Sequence, residues 1–432
     1  MTNPAHLSRR LKELARDEGF EMAGICSAEP SEHGDFLKGW LERGFHGEME
    51  YLARADAVAR RKDLSLTLPG ARSVLVVAHS YDQPDPEGVP EDPSRGVIAR
   101  YARGRDYHRV MKKKLVRVHR RLQEEAGREV SARAYVDTGP LLERELARRA
   151  GIGWFGKNTM ILNPKRGSYF FLGALLLEEE LEPDEPFRAD HCGSCTACLD
   201  ACPTGALLGR DESGAPVMDA RLCISYLTIE HRGPIPRELR PLIGNRVYGC
   251  DICQEVCPFN VKFSEPAAEP GYAARGPGER PVGVETAAEV ALDPVSAETQ
   301  GRKDVRTGTP GSPAHPGTDG PPLTELLAMA LSEEAWESFS RGSTIRRAGR
   351  AGFARNVCVA MGNWLAGDQR PDPVGVELLV RALSDSEPLV RGHAAWALRQ
   401  VAWTDARPVL EASARSEEDP WVKEELALAL GP

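Results

Sequence analysis

Two short runs of cysteine limit what this chain can fold into, because each run must bring several thiols to one point. They lie in HCGSCTACLDACPTGAL at residues 191–207 and in GCDICQEVCPFN at residues 249–260, within a chain of 432 residues. The first run has the spacing C-x2-C-x2-C-x3-C-P, in which three thiolates hold one [4Fe–4S] cube and the fourth binds a second cube. The second run, C-x2-C-x3-C-P, lacks the leading cysteine.

One more cysteine is needed to complete two sets of four ligands. Cys223, in RLCISYL, is the only other cysteine between the two runs. The pseudo-symmetry of the runs predicts that three ligands of the first run share a cluster with the last cysteine of the second run. The two predicted ligand sets are Cys192, Cys195, Cys198 and Cys257, and Cys202, Cys223, Cys250 and Cys253.

Zinc is the alternative, since two C-x2-C pairs also make a tetrahedral thiolate site. Two features oppose it: eight thiols are present where one zinc takes four, and both runs end in x3-Cys-Pro. Disulfides are not expected, because the N-terminal residues lack the apolar stretch of a signal peptide. No run of residues approaches the ~18 apolar residues that span a membrane, so we expect a cytoplasmic chain with reduced thiols and no membrane partner.

The chain is much longer than a two-cluster module requires, and its length suggests roughly three domains. Leu7, Leu11 and Leu14 share one helical face, while RSVLVVAHSY and YFFLGALLLEEEL are typical of buried strands. Residues 265–322 contain ten Pro and nine Gly with a single aromatic residue. Such a segment cannot bury enough apolar surface to order itself, so we predict a flexible linker or insertion there.

An internal repeat follows the Pro/Gly-rich segment. EDPWVKEELALAL at 418–430 repeats SEPLVRGHAAWAL at 386–398 with an offset of 32 residues, and ARNVCVAMG from Ala354 is a weaker third copy. This pattern is typical of HEAT-type helical hairpins, with a plain helical tail as the alternative. We therefore predict an α+β chain with an α/β domain at 1–184, a ferredoxin-like two-cluster module at 185–263, the linker at 264–322 and α-helical HEAT-like repeats at 323–432.

Two stretches are rich in cations although the whole chain carries a net charge of −9. Residues 100–121 contain ten Arg or Lys and one acid. A second basic stretch opens the repeat region with Arg341, Arg346, Arg347, Arg350 and Arg355. Such density neutralises phosphates in RNA-binding proteins, and a solvated cationic helix face explains it equally well. Two basic stretches beside a helical repeat favour RNA as a partner.

The segment AYVDTGPLLERELARRAGIGWFGKN predicts a strand, a turn, a helix and a glycine-rich loop. Asp137 falls where the strand ends, which is where ligand sites gather in α/β folds, although an aspartate before T-G-P also serves as a helix cap. The glycines of the loop permit close backbone approach to a bulky ligand. The loop matches neither a dinucleotide-binding motif nor a P-loop, so a nucleotide cofactor has little support.

The motifs GRDYH, YVDTGPLLERELARRAGIGWFGKN and IGNRVYGCDICQEVCP, together with the first cysteine run and the repeat, closely resemble the epoxyqueuosine reductase family. The resemblance covers nearly everything except residues 264–322. It implies a cobalamin held between the α/β domain and the cluster module, with both clusters feeding it single electrons from an external low-potential donor. The implied reaction removes the epoxide oxygen of epoxyqueuosine at the wobble position of tRNA, giving queuosine and water.

The resemblance also implies roles for individual residues. Asp137, in the V-D-T motif, takes the role of proton donor, which at neutral pH requires a raised carboxyl pKa. Tyr107 and His108 in RDYH either assist the substrate or pack. The chain has no D-x-H-x-x-G motif, so no histidine ligand to cobalt is expected. Besides Asp137, the implied cobalamin contacts are Arg61, Ala99, Ile161, Leu172, Ser225 and Asp251.

Two other functions stay open at this point. A reductive dehalogenase of small molecules shares the cofactors but needs no RNA surface, and the chain lacks a twin-arginine export signal. A ferredoxin-type electron-transfer protein has no substrate of its own and would bind no corrinoid. We expect an enzyme that acts, as a monomer, on the anticodon stem-loop of a tRNA.

Overall fold

The computed structural model describes residues 3–279, 316–366, 371–401 and 406–431. A four-stranded sheet with helices on both faces forms the N-terminal part. Short helices and loops that carry the cysteines follow, and an array of longer helices ends the chain. The predicted α+β fold class is confirmed. None of the helices within these ranges is both long and apolar enough to cross a lipid bilayer.

The strands and helices of the described residues are numbered in chain order. The strands are β1 (Met22–Ser27), β2 (Ser73–Ser80), β3 (Val97–Ile98), β4 (Ala132–Tyr135), β5 (Trp154–Phe155), β6 (Ile161–Leu162), β7 (Phe170–Leu177), β8 (Leu207–Arg210), β9 (Pro216–Met218) and β10 (Arg246–Tyr248). The helices are α1 (Pro4–Asp17), α2 (Gly34–Glu42), α3 (Ala55–Lys62), α4 (Tyr107–Ala126), α5 (Glu143–Arg149), α6 (Ala197–Asp200), α7 (Ile224–Ile229), α8 (Arg240–Ile243), α9 (Ile252–Glu255), α10 (Pro258–Phe263), α11 (Leu323–Ala330), α12 (Glu333–Ser340), α13 (Gly349–Leu365), α14 (Pro373–Ala382), α15 (Pro388–Gln400), α16 (Ala406–Ser416) and α17 (Pro420–Leu430).

The four-stranded sheet has the order β1-β2-β7-β4, and every neighbouring pair is antiparallel. β2 lies inside the sheet, which explains why SVLVVAHS is apolar on both faces and almost wholly buried. One face of the sheet is covered by α1 and α4, whose core residues are Leu11, Leu14, Met111, Leu115, Val118 and Leu122. On the other face α5 packs through Leu146 and Ala147.

The cysteine-bearing segments lie between the sheet domain and the helical array. β10 pairs in parallel with β3, with Arg246 opposite Val97, so the two halves of this small ribbon come from different predicted domains. Apolar residues between 220 and 248 form one continuous core with residues of 323–429. The loops that carry the thiols are therefore braced by packed structure on both sides.

Close glycine contacts stack the helices of the repeat region. A Cβ atom on Gly362 of α13 would lie 2.7 Å from the ring of Trp396 in α15. A Cβ atom on Gly392 of α15 would lie 2.3 Å from the ring of Trp421 in α17. Since real Cβ atoms do not approach this closely, each tryptophan ring uses the space that a glycine leaves on the next helix.

The prediction of a flexible linker over 264–322 is wrong for the two ends of that segment. Ala267 donates its backbone N–H to the carbonyl of Asp82, and Tyr272 is buried in the core beneath the sheet. The backbone N–H of Thr318 donates to the carbonyl of Arg275, and the backbone N–H of Arg275 donates to the hydroxyl oxygen of Thr318. The Thr318 hydroxyl in turn donates to the carbonyl of Arg103. One tyrosine and these polar contacts suffice to order the ends, while residues 280–315 lie outside the described residues.

A buried ion pair ties the last repeat helix to the cluster module. The Glu425 carboxylate accepts hydrogen bonds from Arg240 at 2.7 and 3.0 Å and a further one from Arg237. Glu425→Gln should lower the free energy of unfolding by about 3–5 kcal/mol, because Arg240 stays buried without its counter-charge. Denaturant unfolding measures this loss. The exposed pair Arg407–Glu411 is the control, since Glu411→Gln should cost less than about 1 kcal/mol; equal losses would contradict the prediction.

Candidate functional site

The first predicted set of four thiols converges next to the glycine-rich loop. Burial, and then the neighbouring thiols of Cys192, Cys257 and Cys195, raise the pKa of Cys198 to about 11. Burial, and then Cys192 and Cys195, also raise the pKa of Cys257. Because electrostatic effects between thiols fall off with distance, these pKa shifts indicate that Cys257 lies close to Cys192, Cys195 and Cys198.

The other four thiols form a second group beside the first. Burial, and then Cys250 and Cys223, raise the pKa of Cys253 well above its ordinary value, with a smaller contribution from Cys198 of the first group. Burial raises the pKa of Cys223 as well, and Cys202 adds to the effect. Cys223 is therefore brought into the same group as Cys202, Cys250 and Cys253.

Polar groups from the glycine-rich loop support the first group. Lys157 Nζ donates to the carbonyls of Gly193 at 2.7 Å and Cys195 at 2.9 Å. Trp154 Nε1 lies 3.5 Å from the sulfur of Cys192. Across the described ranges, no three His, Cys, Asp or Glu side chains are arranged to hold a single metal ion.

Asp137 lies just after β4 in a left-handed backbone conformation, with φ 57°. Residues with a Cβ rarely adopt this conformation, which costs about 1–3 kcal/mol. Thr159 in the glycine-rich loop is the other non-glycine residue with positive φ among those described, at 66°. Its carbonyl accepts a hydrogen bond from Arg144, which follows the Asp137 turn. The two residues with a strained backbone therefore lie in the same region of the structure. Backbone strain of this kind is typical of functional sites.

The carboxylate of Asp137 is held by the RDYH motif at the start of α4. Its Oδ2 accepts from the hydroxyl of Tyr107 at 3.0 Å and lies 3.3 Å from Nε2 of His108. The other imidazole nitrogen, Nδ1, lies 2.7 Å from Oδ1 of Asp106, which also caps the helix. His108 thus bridges two carboxylates, an arrangement that favours the protonated imidazole.

The proton in this group sits on the histidine. Burial alone would lower the pKa of His108, but hydrogen bonds to Asp106 and Asp137 outweigh it and raise the pKa to about 9. Burial alone would raise the pKa of Asp137, but the bonds from His108 and then Tyr107 outweigh it and lower the pKa. The expectation of a raised carboxyl pKa at Asp137 is therefore wrong, because the cation beside it stabilises the carboxylate.

Asp137 shares a neighbourhood, which we call the recess, with polar groups of α3 and of the first turn of α5. Its side chain is 66% exposed although protein atoms surround it on several sides. Burial, and then the nearby Asp137, raise the pKa of Glu143 to about 8. Arg61 of α3 is buried near Glu143, and burial lowers its pKa. Sequence reasoning missed Glu143 and Arg144, whose only signal was an acid–base pair separated from the V-D-T-G-P turn by two leucines.

The remaining predicted contacts fall into smaller groups. The backbone N–H of Arg100, next to the buried Ala99, donates to Oδ2 of Asp251 at 2.7 Å. Asp251 also accepts from Gln254 at 3.1 Å, so its buried carboxylate holds a loop in place instead of facing open space. Ile161 and Leu172 pack in the apolar core on the α5 side of the sheet. Ser225 lies next to Cys223, and its side chain opposes the effect of burial, which raises the pKa of that thiol.

Five of the ten cations of residues 100–121 are paired with acids that are distant in the sequence. Two of the cations that stay exposed are Arg109 and Arg120, and Arg120 lies 3.6 Å from Glu124. Pairing with distant acids therefore uses half of the charges and weakens the interpretation of this stretch as a phosphate-binding surface. The pairs are Arg100 with Asp82 and Asp85, Arg103 with Asp85, Lys114 with Glu269, Arg117 with Glu18, and Arg121 with Asp17.

The second basic stretch is also paired, yet it reaches the recess. Arg347 makes a bidentate contact with Glu230 and stays half exposed. Its guanidinium lies 5.5 Å from the ring centre of Tyr51, which is 43% exposed. Burial raises the pKa of Asp137, and His108 and Tyr107 lower it. The charge of Arg347 lowers it further by a smaller amount. An exposed aromatic ring and a guanidinium therefore stand at the mouth of the recess.

Three family models match successive parts of the chain. Residues 61–138 match the epoxyqueuosine reductase QueG, DUF1730, model, and this range contains Arg61, the RDYH motif and Asp137. Residues 191–260 match the 4Fe-4S double cluster binding domain, which supports two [4Fe–4S] clusters in this chain. Residues 347–431 match HEAT repeats. The prediction of repeats over a plain helical tail is confirmed.

Two curated relatives and a solved structure are named epoxyqueuosine reductase, as is the first of these family models. The chain is 39% identical over 401 residues to an epoxyqueuosine reductase of Pseudomonas aeruginosa, covering 92% of this chain and 95% of the relative. It is 36% identical over 397 residues to that of Escherichia coli, covering 91% and 89%. A crystal structure of epoxyqueuosine reductase with an epoxyqueuosine-modified tRNA stem loop matches with a TM-score of 0.78 and 28% identity over 99% of both chains.

A further solved structure is similar to the same degree. It is the Bacillus subtilis epoxyqueuosine reductase, described as having its catalytic aspartate loop swung out of the active site, and it matches with the same TM-score of 0.78. With such relatives along almost its whole length, this chain belongs to the epoxyqueuosine reductase family of oxidoreductases.

Proposed function

We propose that this chain reduces epoxyqueuosine to queuosine at the wobble position of tRNA. Converting the epoxide to the alkene takes two electrons and two protons and releases water. The observation that carries the proposal is the match over 99% of both chains to an epoxyqueuosine reductase described with an epoxyqueuosine-modified tRNA stem loop. In this proposal each domain has its own role: residues 1–184 would hold cobalamin, residues 185–263 would carry the clusters and residues 323–432 would face the tRNA.

Two [4Fe–4S] clusters bound to this chain would supply single electrons taken from an external low-potential donor. The proposed ligands are the two groups of four thiols described above, and their mutual proximity supports this assignment. A hydrogen bond to the sulfur of Cys192 comes from the indole N–H of Trp154. Such bonds tune the reduction potential of a cluster.

Cobalamin is the group that we propose for the recess. Nη1 of Arg61 and Oε1 of Glu143 are buried there without a hydrogen-bond partner among the described residues. Buried polar atoms are rarely left unpaired, and the amide side chains of a corrin offer both donors and acceptors to satisfy them. Bound there, cobalamin would supply a low-potential metal centre. The apolar walls beside it are Ala99, Ile161 and Leu172.

Asp137 delivers a proton that His108 holds. Both hydrogen bonds to the carboxylate use Oδ2, so Oδ1 is the oxygen left for the substrate. A proton that moves from Nε2 of His108 to the carboxylate can pass to the oxygen released from the epoxide. Asp106 keeps the imidazole oriented throughout, since it accepts from the opposite nitrogen. The second proton comes from solvent.

The mouth of the recess suits a nucleobase. Single-stranded RNA is recognised by stacking of splayed bases on aromatic rings and guanidinium planes. Tyr51 and Arg347 supply one of each, and Glu230 holds the guanidinium in place through its bidentate contact. We therefore place the anticodon loop against this edge, close to the start of the repeat region.

The pH dependence of turnover should report the proton on His108. The pKa of His108 is raised from 6.5 to about 9, so the imidazolium and its ion pairs are complete below pH 6.5 and are lost as pH rises through about 9. We expect turnover with saturating tRNA to stay level near neutral pH and to fall through pH 9. His108→Gln should lower turnover at all pH values and remove this alkaline limb.

Glu143→Gln is the control for that measurement, because the pKa of Glu143 is raised to about 8 and its titration lies close to that of His108. The alkaline limb should persist in Glu143→Gln. An unchanged limb in His108→Gln, or its loss only in Glu143→Gln, would assign the proton to another group.

A reconstitution assay tests the proposed reaction itself. Anaerobic protein should convert tRNA containing epoxyqueuosine into tRNA containing queuosine when cobalamin and a strong reductant are added, as read by nucleoside analysis. Omission of cobalamin should abolish conversion. A protein that reduces its clusters but never forms queuosine would instead be an electron carrier, and turnover of halogenated small molecules with no reaction on tRNA would favour the dehalogenase alternative.

A further inference from the structure

Helix α13 of the repeat region carries two adjacent polar residues that are completely buried. Arg355 is 1% exposed and Asn356 is 0% exposed. Their side chains reach out of the repeat and into the module that carries the cysteines. Burying such groups costs free energy unless every polar atom is paired, so their partners indicate what they do.

Asn356 joins the two segments that carry cysteines of the second group. Its Nδ2 donates to the carbonyl of Thr228 at 2.8 Å and to the carbonyl of Val247 at 2.9 Å. Thr228 lies in α7, which begins directly after Cys223. Val247 lies in β10, three residues before Cys250. One amide group therefore fixes the distance between the backbones that lead to these two thiols.

Arg355 holds the end of the same helix α7. Its guanidinium donates to the carbonyl of Leu227 at 2.6 Å and to the carbonyls of His231 and Gly233 at 2.9 and 2.8 Å. It also donates to the side-chain oxygen of Asn356, which orients that amide. The carbonyls at a helix C-terminus lack partners within the helix and carry partial negative charge, so a buried cation suits this place.

The contact continues from α7 to the cysteine loop. The hydroxyl of Thr228 accepts a hydrogen bond from the backbone N–H of Gly249 at 2.9 Å. Gly249 has φ 73° and immediately precedes Cys250, and a Cβ atom there would lie 2.5 Å from Ala99. The contacts of Gly249 with α7 and with the loop at Ala99 therefore fix the position of the backbone just before Cys250.

We propose that Arg355 and Asn356 are positioning residues for the second cluster, so that the first repeat helix forms part of the frame that holds Cys223 and Cys250. The inference rests on the proposed ligand sets. Cluster potential depends on the hydrogen bonds and solvent around the ligating sulfurs. A shift between α7 and β10 therefore acts mainly on the second cluster, because three of the four proposed ligands of the first lie at residues 192–198, away from both elements.

Asn356→Leu tests the proposal, because leucine has a similar shape but cannot donate. Asn363→Leu is the matched control on the same helix. Asn363 also donates to two backbone carbonyls, those of Arg240 and Gly244, both at 2.9 Å, but neither segment bears a thiol next to it. Both variants are purified anaerobically as the full chain. Iron content and the midpoint potential of each cluster are measured alongside thermal unfolding.

The expected result is selective. Asn356→Leu should reduce iron from about eight toward about four per chain, or should retain it and shift the potential of one cluster only. Asn363→Leu should keep both clusters and both potentials. Unchanged iron and potentials in Asn356→Leu, or the same changes in Asn363→Leu, would overturn the proposal. Fewer than about eight irons in the unmodified chain would overturn the ligand sets themselves, and this inference with them.

Arg355→Lys provides a second variant if Asn356→Leu does not fold. Lysine keeps the charge, but its single ammonium cannot reproduce a fork that reaches three carbonyls. It should shift the potential of one cluster in the same way. A variant that loses thermal stability while both potentials stay at their unmodified values would show a purely structural role and would overturn the assignment.

Discussion

Replacing Asp137 with asparagine should lower turnover by about 10²–10⁴-fold, the range that a positioned general acid contributes. The asparagine side chain keeps the size of the aspartate but cannot take up the proton of His108 and pass it on. The clusters should be unaffected, since Asp137 lies outside both groups of thiols. Single-turnover formation of queuosine in tRNA measures the effect, with iron content and cobalamin absorption recorded on the same protein.

Asp106→Asn is the matched control for this variant. Asp106 is the other carboxylate on His108, but it reaches the recess only through the imidazole. Its loss should lower the pKa of His108 and move the alkaline limb of the pH profile to lower pH, with a smaller loss of turnover at neutral pH. An Asp137→Asn protein that retains activity, or that is no worse than Asp106→Asn, would remove Asp137 from the mechanism.

Replacing Cys223 with alanine should abolish turnover and reduce iron to about four per chain. Cys223 lies outside both cysteine runs, and the proposed second cluster depends on it as the fourth ligand. The remaining cluster should keep its spectrum, because its four thiols are contributed by other segments. Loss of turnover follows because the electron path to the recess is broken.

Cys26→Ala is the control, since Cys26 is equally a single cysteine outside the runs but lies buried in β1. This variant should keep about eight irons and turnover, at a cost of about 1 kcal/mol in the free energy of unfolding. Full iron content in Cys223→Ala would show that another group ligates the second cluster.

The cysteine spacing made the cluster module predictable from the sequence. Thiols at i, i+3 and i+6 meet one cube through local geometry, so the sequence alone contains most of that information. The helices and strands were accessible for the same reason: the faces of α1 and α4 repeat at helical spacing, and β2 is apolar throughout. Each of these patterns depends on neighbours along the chain.

The electrostatics of the site were not accessible in this way. The expectation for Asp137 assumed that burial would dominate its pKa, whereas a protonated His108 from another element reverses the direction. The basic stretch at 100–121 looked like an RNA surface because the acids that neutralise it, such as Glu18 and Glu269, lie far away in the sequence. The charge of a group in a folded protein depends on partners that the fold supplies.

By itself, the sequence determined the elements of secondary structure, the α+β class, the presence of repeats and the cysteines available for two clusters. Only the tertiary structure decided which carboxylate is ionised, that Glu143 and Arg144 share the recess with Asp137, and that Arg355 and Asn356 of the repeat hold the segments of the second cluster. The physical reason is the separation along the chain over which each kind of interaction acts. Helical and strand periodicity and cysteine spacing act over a few residues, while ion pairs and buried hydrogen bonds act between any residues that the fold brings within about 3 Å.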